Sequence, residues 1–412
     1  MIRKFVDVAV IGGGPAGLAS ALSAKEHGAK NVLVLDRNNW LGGILPQCIH
    51  DGFGVEETGT SMTGTEYAEM YISLAKNAGV EFLTETMVLH LDRNRTLTAV
   101  HKKDVMQIKA KSIILAMGCR EKTRWNIQIP GTRPSGIFTA GVAQAFINLY
   151  NKIPGKDILI LGSGDVGLIM ARRLKFEGAN VLGVVEILPY ASGLPRNVVQ
   201  CLDDYDIPLF LNHTVTLIEG KDRLESVTIA QVDEQWNILP GTEQKIACDT
   251  LLLSLGLIPE NELSENVGIK LDEWTGGPVV DQCYETSLSG VFACGNCLQV
   301  YDTVDVLAQG AKNAGRYAAQ NLSSSDKKMK VRAGKGIRSI VPQLISKSQT
   351  IHFTLRVKKP CQSVTLKINT DKNVLFEKKL RYVNPANMVE FDTHISAELF
   401  ETADELEVVL DE

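Results

Sequence analysis

The residues best suited to chemistry gather first in a glycine turn. Gly12-Gly13-Gly14-Pro15-Ala16-Gly17 follows directly on the apolar run of residues 5–11 and supplies the pattern G-x-G-x-x-G. In that pattern Gly12 makes the tight turn, Gly14 lets a pyrophosphate approach the backbone, and Gly17 lets the following helix pack on the strand. Asp36 stands at the carboxyl end of the next apolar run, residues 32–35, where a carboxylate can accept from ribose hydroxyls. The pattern then recurs. Residues 157–161 lead into Gly162-Ser163-Gly164-Asp165-Val166-Gly167, and residues 181–185 deliver Glu186. First glycine to acid is 24 positions in both copies, and third glycine to acid is 19. Two turns with matching helix lengths, strands and acids are two dinucleotide-binding units.

The elements that must hold these residues follow from periodicity. Residues 5–11 are nearly all apolar, as a parallel strand buried on both faces requires, and residues 16–27 form a helix that stops at Gly28. Residues 37–54, dense in Asn, Gly, Pro and Gln, read as a functional loop containing Gly42, Gly43, Gln47, Cys48 and His50. A helix is expected over 63–77 and alternating strands over 84–92, 96–101 and 105–110. A separate buried strand, 112–116, should end at Met117-Gly118. After the breaker-rich 130–134 come a helix at 139–150, the second glycine unit, small strands within 215–248, and the apolar run 250–256 that mirrors 113–118. Residues 290–296 form one more buried strand and 303–322 a helix, before polar linker chemistry at 323–330. Five segments beyond it alternate at period two. The expected fold is α/β: two Rossmann-like dinucleotide-binding domains, the second inserted in the first, plus a small C-terminal antiparallel β-domain. The expected boundaries are 1–119 and 251–325 for the first domain, 120–250 for the inserted one, 326–337 for a linker and 338–412 for the β-domain.

Composition narrows the function classes. The 412 residues are 44% hydrophobic and 22% charged, with a formal net charge of -5, and scattered Lys and Arg leave no electrostatic footprint for nucleic acid. No apolar run is long enough to span a bilayer and no basic-then-apolar segment opens the chain, so a cytoplasmic protein without a membrane span is expected. Eight cysteines in a chain of this length are expected to be reduced thiols.

The two glycine patterns, Ala116-Met117-Gly118, Leu255-Gly256-Leu257-Ile258-Pro259 and the 290–296 strand together resemble the flavin-dependent pyridine nucleotide-disulfide oxidoreductases of thioredoxin reductase-like architecture, over roughly residues 1–325. The loop Gly42-Gly43-Ile44-Leu45-Pro46-Gln47-Cys48 and the cysteine-containing tip after residue 293 are similar to the flavin subunits of opine oxidase and hydrogen cyanide synthase complexes. They are also similar to the flavoprotein associated with anaerobic glycerol-3-phosphate dehydrogenase. The resemblance implies FAD on the first unit, at Gly12, Gly14, Pro15, Ala16, Gly17, Asp36, Arg37, Gly42, Gly43, Val88, Ala116, Gly118, Gly295, Asn296, Thr303 and Val304. Asn296 stands where the family usually has an aspartate that holds the ribityl chain. It implies NAD(H) on the second unit, at Gly162, Gly164, Asp165, Val166, Gly167, Glu186 and Gly256. Glu186 would repel a 2'-phosphate, and residues 187–193 hold no Arg or Lys to neutralise one, which favours NADH over NADPH.

The cysteines depart from the disulfide-reducing members. Residues 119–250 contain only Cys119, Cys201 and Cys248, none spaced C-x-x-C, and Cys48 alone follows Gly43. Cys48 is either a persulfide or sulfenate centre or a wall of the flavin pocket. His50, beside Gln47 and Cys48, is either a proton donor near the flavin N5 or a loop histidine held by hydrogen bonds. Cys294-Gly-Asn-Cys297, with Cys283 nearby, falls short of a four-ligand set, so no metal is expected. The tail, with Cys361 as its one cysteine, lacks the cysteine-rich iron-sulfur segment of related oxidase subunits and reads as a docking or dimer surface. The expected function is hydride movement between NAD(H) and FAD within an electron-transfer subunit that works with a second dehydrogenase subunit. The alternatives are a stand-alone NADH-dependent peroxide, persulfide or disulfide reductase using Cys48, and a nucleotide sensor in which the flavin is structural.

Overall fold

The computed structural model describes residues 2–320, 328–370 and 373–411. The chain divides into two compact units, Met1–Cys119 with Pro259–Glu412, and Arg120–Ile258.

In the first unit the opening strand Ile2–Ile11 lies parallel to Val32–Leu35 on one side and to Asp104–Leu115 on the other. Glu81–Leu83 extends the first side, and Thr96–His101 and Thr86–Leu91 extend the second. Residues 105–110 and 112–116, expected as two strands, form the single strand Asp104–Leu115. No glycine or proline breaks this stretch, so the strand runs on and changes its outer neighbour. Its first half pairs antiparallel with Thr96–His101, and Ile113–Leu115 pair parallel with Val291–Ala293. The apolar alternation expected at 63–77 becomes the helix Gly64–Asn77, opened by a reciprocal cap. Thr63 Oγ1 accepts the Glu66 N–H, and Glu66 accepts the Thr63 N–H at 2.8 Å.

Two helices fix the floor of this unit. Pro15–Glu26 packs on the final helix Val304–Gln320 through small residues, Ala16, Ala19, Ser20, Ala311 and Ala314, all buried. At Gly315 a Cβ would fall 2.1 Å from the Ser20 carbonyl oxygen, so the two backbones meet with no side chain between them. Ser23 Oγ seals the contact by donating to the Lys312 carbonyl at 2.7 Å. The expected end of the final helix, 321–322, and the linker residues 323–327 lie outside the described residues.

The second unit repeats the plan with a sheet ordered Leu209–Phe210, Asn180–Val185, Asp157–Leu161, Thr250–Leu253, Ile137–Thr139. The strand Thr250–Leu253 lies within it, parallel to Asp157–Leu161, so the unit runs to Ile258 and not to residue 250 as expected. A parallel strand buried on both faces belongs with the sheet it pairs with.

The C-terminal residues form two sheets, but not from 338 and not as a compact unit of their own. Met329–Ala333, expected as linker, is a strand that pairs parallel with Glu405–Asp411, while the remaining pairs are antiparallel. Phe353, Leu366, Ile368, Leu406 and Val408 fill the space between the sheets, with Phe353 and Phe391 stacked at 5.3 Å. The alternation hid this first strand because Met329 and Val331 are its only strongly apolar residues facing inward.

On this sandwich His352 sits between two acids, Nε2 3.2 Å from Glu390 Oε2 and Nδ1 3.0 Å from Asp392 Oδ1. Glu390 first, then Asp392, holds the imidazole pKa above its ordinary 6.5 against the cost of burial. A pKa raised on folding contributes stability that is complete below the unfolded value and lost as pH rises through the folded one. Compared with His352→Gln, the wild type should therefore hold its stability advantage at pH about 6 and lose it progressively above about 6.5. Urea midpoints of both proteins across that range check this, and a difference independent of pH would refute it.

Candidate functional site

In the first unit the glycine turn is closed by backbone contact. Gly12 has φ +107°, and a Cβ there would lie 2.3 Å from the carbonyl oxygen of Ala116, the residue just past the neighbouring parallel strand. A Cβ on Gly17 would lie 1.8 Å from Gly12 O. Gly14 opens the helix, with Pro15 at its first position and Ala16 buried behind it. Gly295, at the tip of the Val291–Ala293 strand, comes so close that its Cβ would be 2.5 Å from that of Ala16. The loop after Asp36 returns to the same turn. Gly42 N–H donates to Gly13 O at 2.8 Å, and a Cβ on Gly43 would stand 2.9 Å from Gly14 Cα.

Asp36 is buried beneath this turn. Its Oδ2 accepts the Gly13 N–H at 2.7 Å and its Oδ1 the Asn38 N–H at 2.8 Å, which leaves lone pairs on both oxygens. Arg37 beside it is exposed, Val88 is buried in the Thr86–Leu91 strand, and Gly118 lies past the strand end with open space at its missing Cβ. Asn296 accepts the Tyr301 N–H at 3.1 Å and points its amide nitrogen at Cys119 Sγ, 3.6 Å away. At the start of the final helix, beside Val304, Thr303 Oγ1 is buried with no partner among the described residues.

The three residues expected to do chemistry are spread along the loop. Gln47 and Cys48 are buried, the Cys48 thiol donates to the Ile44 carbonyl at 3.5 Å, and burial pushes its pKa up to about 12. Cys48 packs against the start of the Gly64–Asn77 helix, where Gly64 N–H donates to Cys48 O at 2.8 Å and a Cβ on Gly64 would meet that of Cys48 at 2.6 Å. His50 sits with its ring 5.1 Å from Phe53. The structure thus brings Gly42 and Gly43 onto the glycine turn and holds Cys48 under a helix terminus.

Sequence reasoning missed the residues that fasten this loop. Asp305, buried in the first turn of the final helix, accepts N–H groups from Gly54 (3.2 Å), Glu56 (3.1 Å) and Glu57 (3.0 Å). Glu57 in turn accepts from Tyr67 at 2.7 Å, from Tyr71 at 2.5 Å and from Lys312. These partners lie about 250 residues apart in the chain, and no local pattern announces them.

The second unit reproduces the cradle. Gly162 has φ +97°, and its Cβ would lie 2.1 Å from Ser254 O; that of Gly167 would fall 2.7 Å from Ser254 Cβ. Gly164 caps the helix Asp165–Phe176. Glu186 occupies the place of Asp36, but its carboxylate is more fully used. Oε2 accepts from Ser163 N–H (3.0 Å), Ser163 Oγ (2.5 Å) and Ser192 Oγ (2.9 Å), and Oε1 accepts from Leu188 N–H (3.0 Å). The Asp165 carboxylate turns to the 194–197 segment, accepting from Leu194 N–H at 2.8 Å and Asn197 Nδ2 at 2.7 Å. Val166 is half-buried, and Gly256 is exposed just past the Thr250–Leu253 strand. Among the described residues no cluster of three or more His, Cys, Asp or Glu forms a metal site; Cys294 and Cys297 are fully buried, and the Cys297 thiol donates to Leu115 O at 3.1 Å.

Residues 6–318 match the model of the pyridine nucleotide-disulphide oxidoreductase family. This chain belongs to that family. Its members are FAD- and NAD(P)H-dependent oxidoreductases. Hydrogen cyanide synthase subunit HcnB of Pseudomonas protegens is 26% identical over 63% of this chain and 58% of its own length. An opine oxidase subunit of Agrobacterium tumefaciens is 24% identical over 77% of this chain and 65% of its own length. The chain thus spans about six-tenths of the length of these curated relatives. The crystal structure of T. acidophilum thioredoxin reductase superposes with a TM-score of 0.62 at 24% identity, over 77% of this chain and 98% of that one, which establishes the shared fold. No helix among the described residues is long and apolar enough to cross a membrane.

A thiol with pKa near 12 is ionised to only about one part in ten thousand at pH 8. Iodoacetamide should therefore label Cys48 in the native protein at least about tenfold more slowly than the half-exposed Cys361, and equally fast in urea. Peptide mass mapping reads this, and prompt native labelling of Cys48 would contradict the buried thiol.

Proposed function

We propose that this pyridine nucleotide-disulphide oxidoreductase binds FAD on the first unit and NAD(H) on the second, moves hydride between them, and exchanges electrons with a partner dehydrogenase subunit. The observation that carries the reading is the duplicated cradle, two glycine turns each resting on a strand-end carbonyl and each backed by a buried acid. FAD, when bound, supplies a two-electron site for hydride.

This chain's own residues fit the cofactor. Gly12, Gly14 and Gly17 leave bare backbone where the pyrophosphate would lie, with Pro15 and Ala16 opening the helix whose N-terminus faces it. Asp36 keeps lone pairs for ribose hydroxyls. Gly43, Ala116, Gly118 and Gly295 keep the surrounding backbone close, and Asn296 holds the ribityl chain through an amide. The orphaned Thr303 hydroxyl and the Val304 N–H give the flavin's polar edge its donors, and the dipole of the 17-residue final helix favours negative charge there. Asp305 lies in that first turn, but three backbone N–H groups take up its charge.

Glu186 favours NADH. Its four hydrogen bonds fix a negative charge at the strand end, where a 2'-phosphate would meet repulsion without a neighbouring cation in 187–193. The partner reading is supported by two relatives that are themselves subunits, HcnB and the opine oxidase flavin chain's counterpart from Agrobacterium tumefaciens. It is supported further by Cys48, whose buried, protonated thiol is ill suited to receive electrons as a thiolate, which weighs against the stand-alone reductase.

Anaerobic titration tests the electron path. NADH should bleach the flavin absorbance stoichiometrically and at least about tenfold faster than NADPH, and Cys48→Ser should leave the rate within about twofold. Faster reduction by NADPH would refute the Glu186 argument, and loss of peroxide or persulfide turnover in Cys48→Ser would restore the stand-alone reading. Affinity purification from the native host should recover a dehydrogenase subunit; normal turnover of an organic substrate with NAD by this chain alone would rule the partner out.

A further inference from the structure

The C-terminal sheets share a compact unit with the first glycine turn, and their contacts fall on one short segment. That segment, residues 299–303, joins Gly295-Asn296 to the start of the final helix at Val304. Buried Gln299 donates through Nε2 to Thr354 Oγ1 at 2.7 Å. Arg356 donates to the Val300 carbonyl at 2.9 Å and to Asp302 Oδ1, while its other terminal nitrogen donates to Pro385 O at 2.9 Å. Asp302 Oδ2 accepts the Met388 N–H at 2.6 Å. Both members of the Arg356–Asp302 pair are more than four-fifths buried, at 16% and 15% exposure. Thr303, with its unpartnered hydroxyl, is the next residue.

We propose that Arg356 and Asp302 are positioning residues of the flavin site, so that the C-terminal sheets complete that site by fixing the start of the final helix. This rests on the reading that FAD binds the first unit. A planar guanidinium can bind a carboxylate, a carbonyl of the segment and a carbonyl of the tail at once, an arrangement an ammonium cannot reproduce. The helix start is then held from two directions. Asp302 is drawn to the C-terminal sheets, and Asp305 to the loop at 54–57. Thr303 and Val304 lie between these anchors, so their donors keep a fixed direction before any cofactor arrives.

The test uses full-length apoprotein and FAD, with affinity read by flavin fluorescence quenching and fold by thermal unfolding. Arg356→Lys and the isosteric Asp302→Asn should each weaken FAD binding about tenfold or more while NADH affinity stays within about twofold. Arg332→Lys, which disturbs ion pairs to Glu405 and Glu407 on the surface of the same sheets, should leave FAD affinity within about twofold. Should Arg356→Lys fail to fold, Asp302→Asn decides. Wild-type FAD affinity in Asp302→Asn, or an equal loss in Arg332→Lys, overturns the proposal while leaving the flavin reading intact. A wild-type chain that binds no FAD overturns both.

Discussion

Each half of this molecule depends on one backbone-to-backbone approach. The first glycine of the turn lies over the carbonyl that ends the next parallel strand, Ala116 in one unit and Ser254 in the other, at distances no side chain would permit. Because the strands are parallel and in register at their carboxyl ends, Ile11 opposite Leu115 and Leu161 opposite Leu253, the turn has one height at which it fits. That height sets where the helix N-terminus opens and where the acid of the next strand arrives. The third glycine repeats the demand one helical turn later, and Gly315 repeats it where the final helix crosses the first. Specificity in this fold is therefore written in absent side chains as much as in present ones.

Four buried or nearly buried acids solve the same physical problem in four ways. A carboxylate withdrawn from water needs donors, and the nearest to hand are backbone N–H groups already left over by turns and helix ends. Asp36 takes two and keeps acceptor capacity; Glu186 takes two and adds two serine hydroxyls. Asp305 takes three from a distant loop, and Asp302 takes one together with a guanidinium. The first pair sit where nucleotides are expected. The second pair do mechanical work on either side of a helix terminus.

The local half of this organisation was legible in the chain. Strand, turn, helix and acid follow one another within some 30 residues, so the glycines, the apolar runs and Thr63 with Glu66 each declare their neighbours. What stayed hidden was non-local. Nothing around Gly54 states that its N–H will meet Asp305, and nothing around Asp302 foretells Arg356. The fate of Cys48 was equally out of reach, because a thiol's character comes from burial under a helix start and not from its flanking residues. The tail's alternation was plain, but its first strand was disguised by Lys and Arg on its outer face, and its attachment to the first unit depends on polar contacts that have no period.

The order of strands in the C-terminal sheet has a consequence for biosynthesis. Glu405–Asp411, the final described strand, occupies the centre of its five-stranded sheet, with Met329–Ala333 on one side and Cys361–Asn369 on the other. The sheet cannot close until that strand has left the ribosome, although the glycine turns and both parallel sheets have emerged long before. If Arg356 is clamped only within the closed sandwich, the nascent chain carries its nucleotide cradles ahead of the latch at 299–303, and flavin loading is timed to the end of translation.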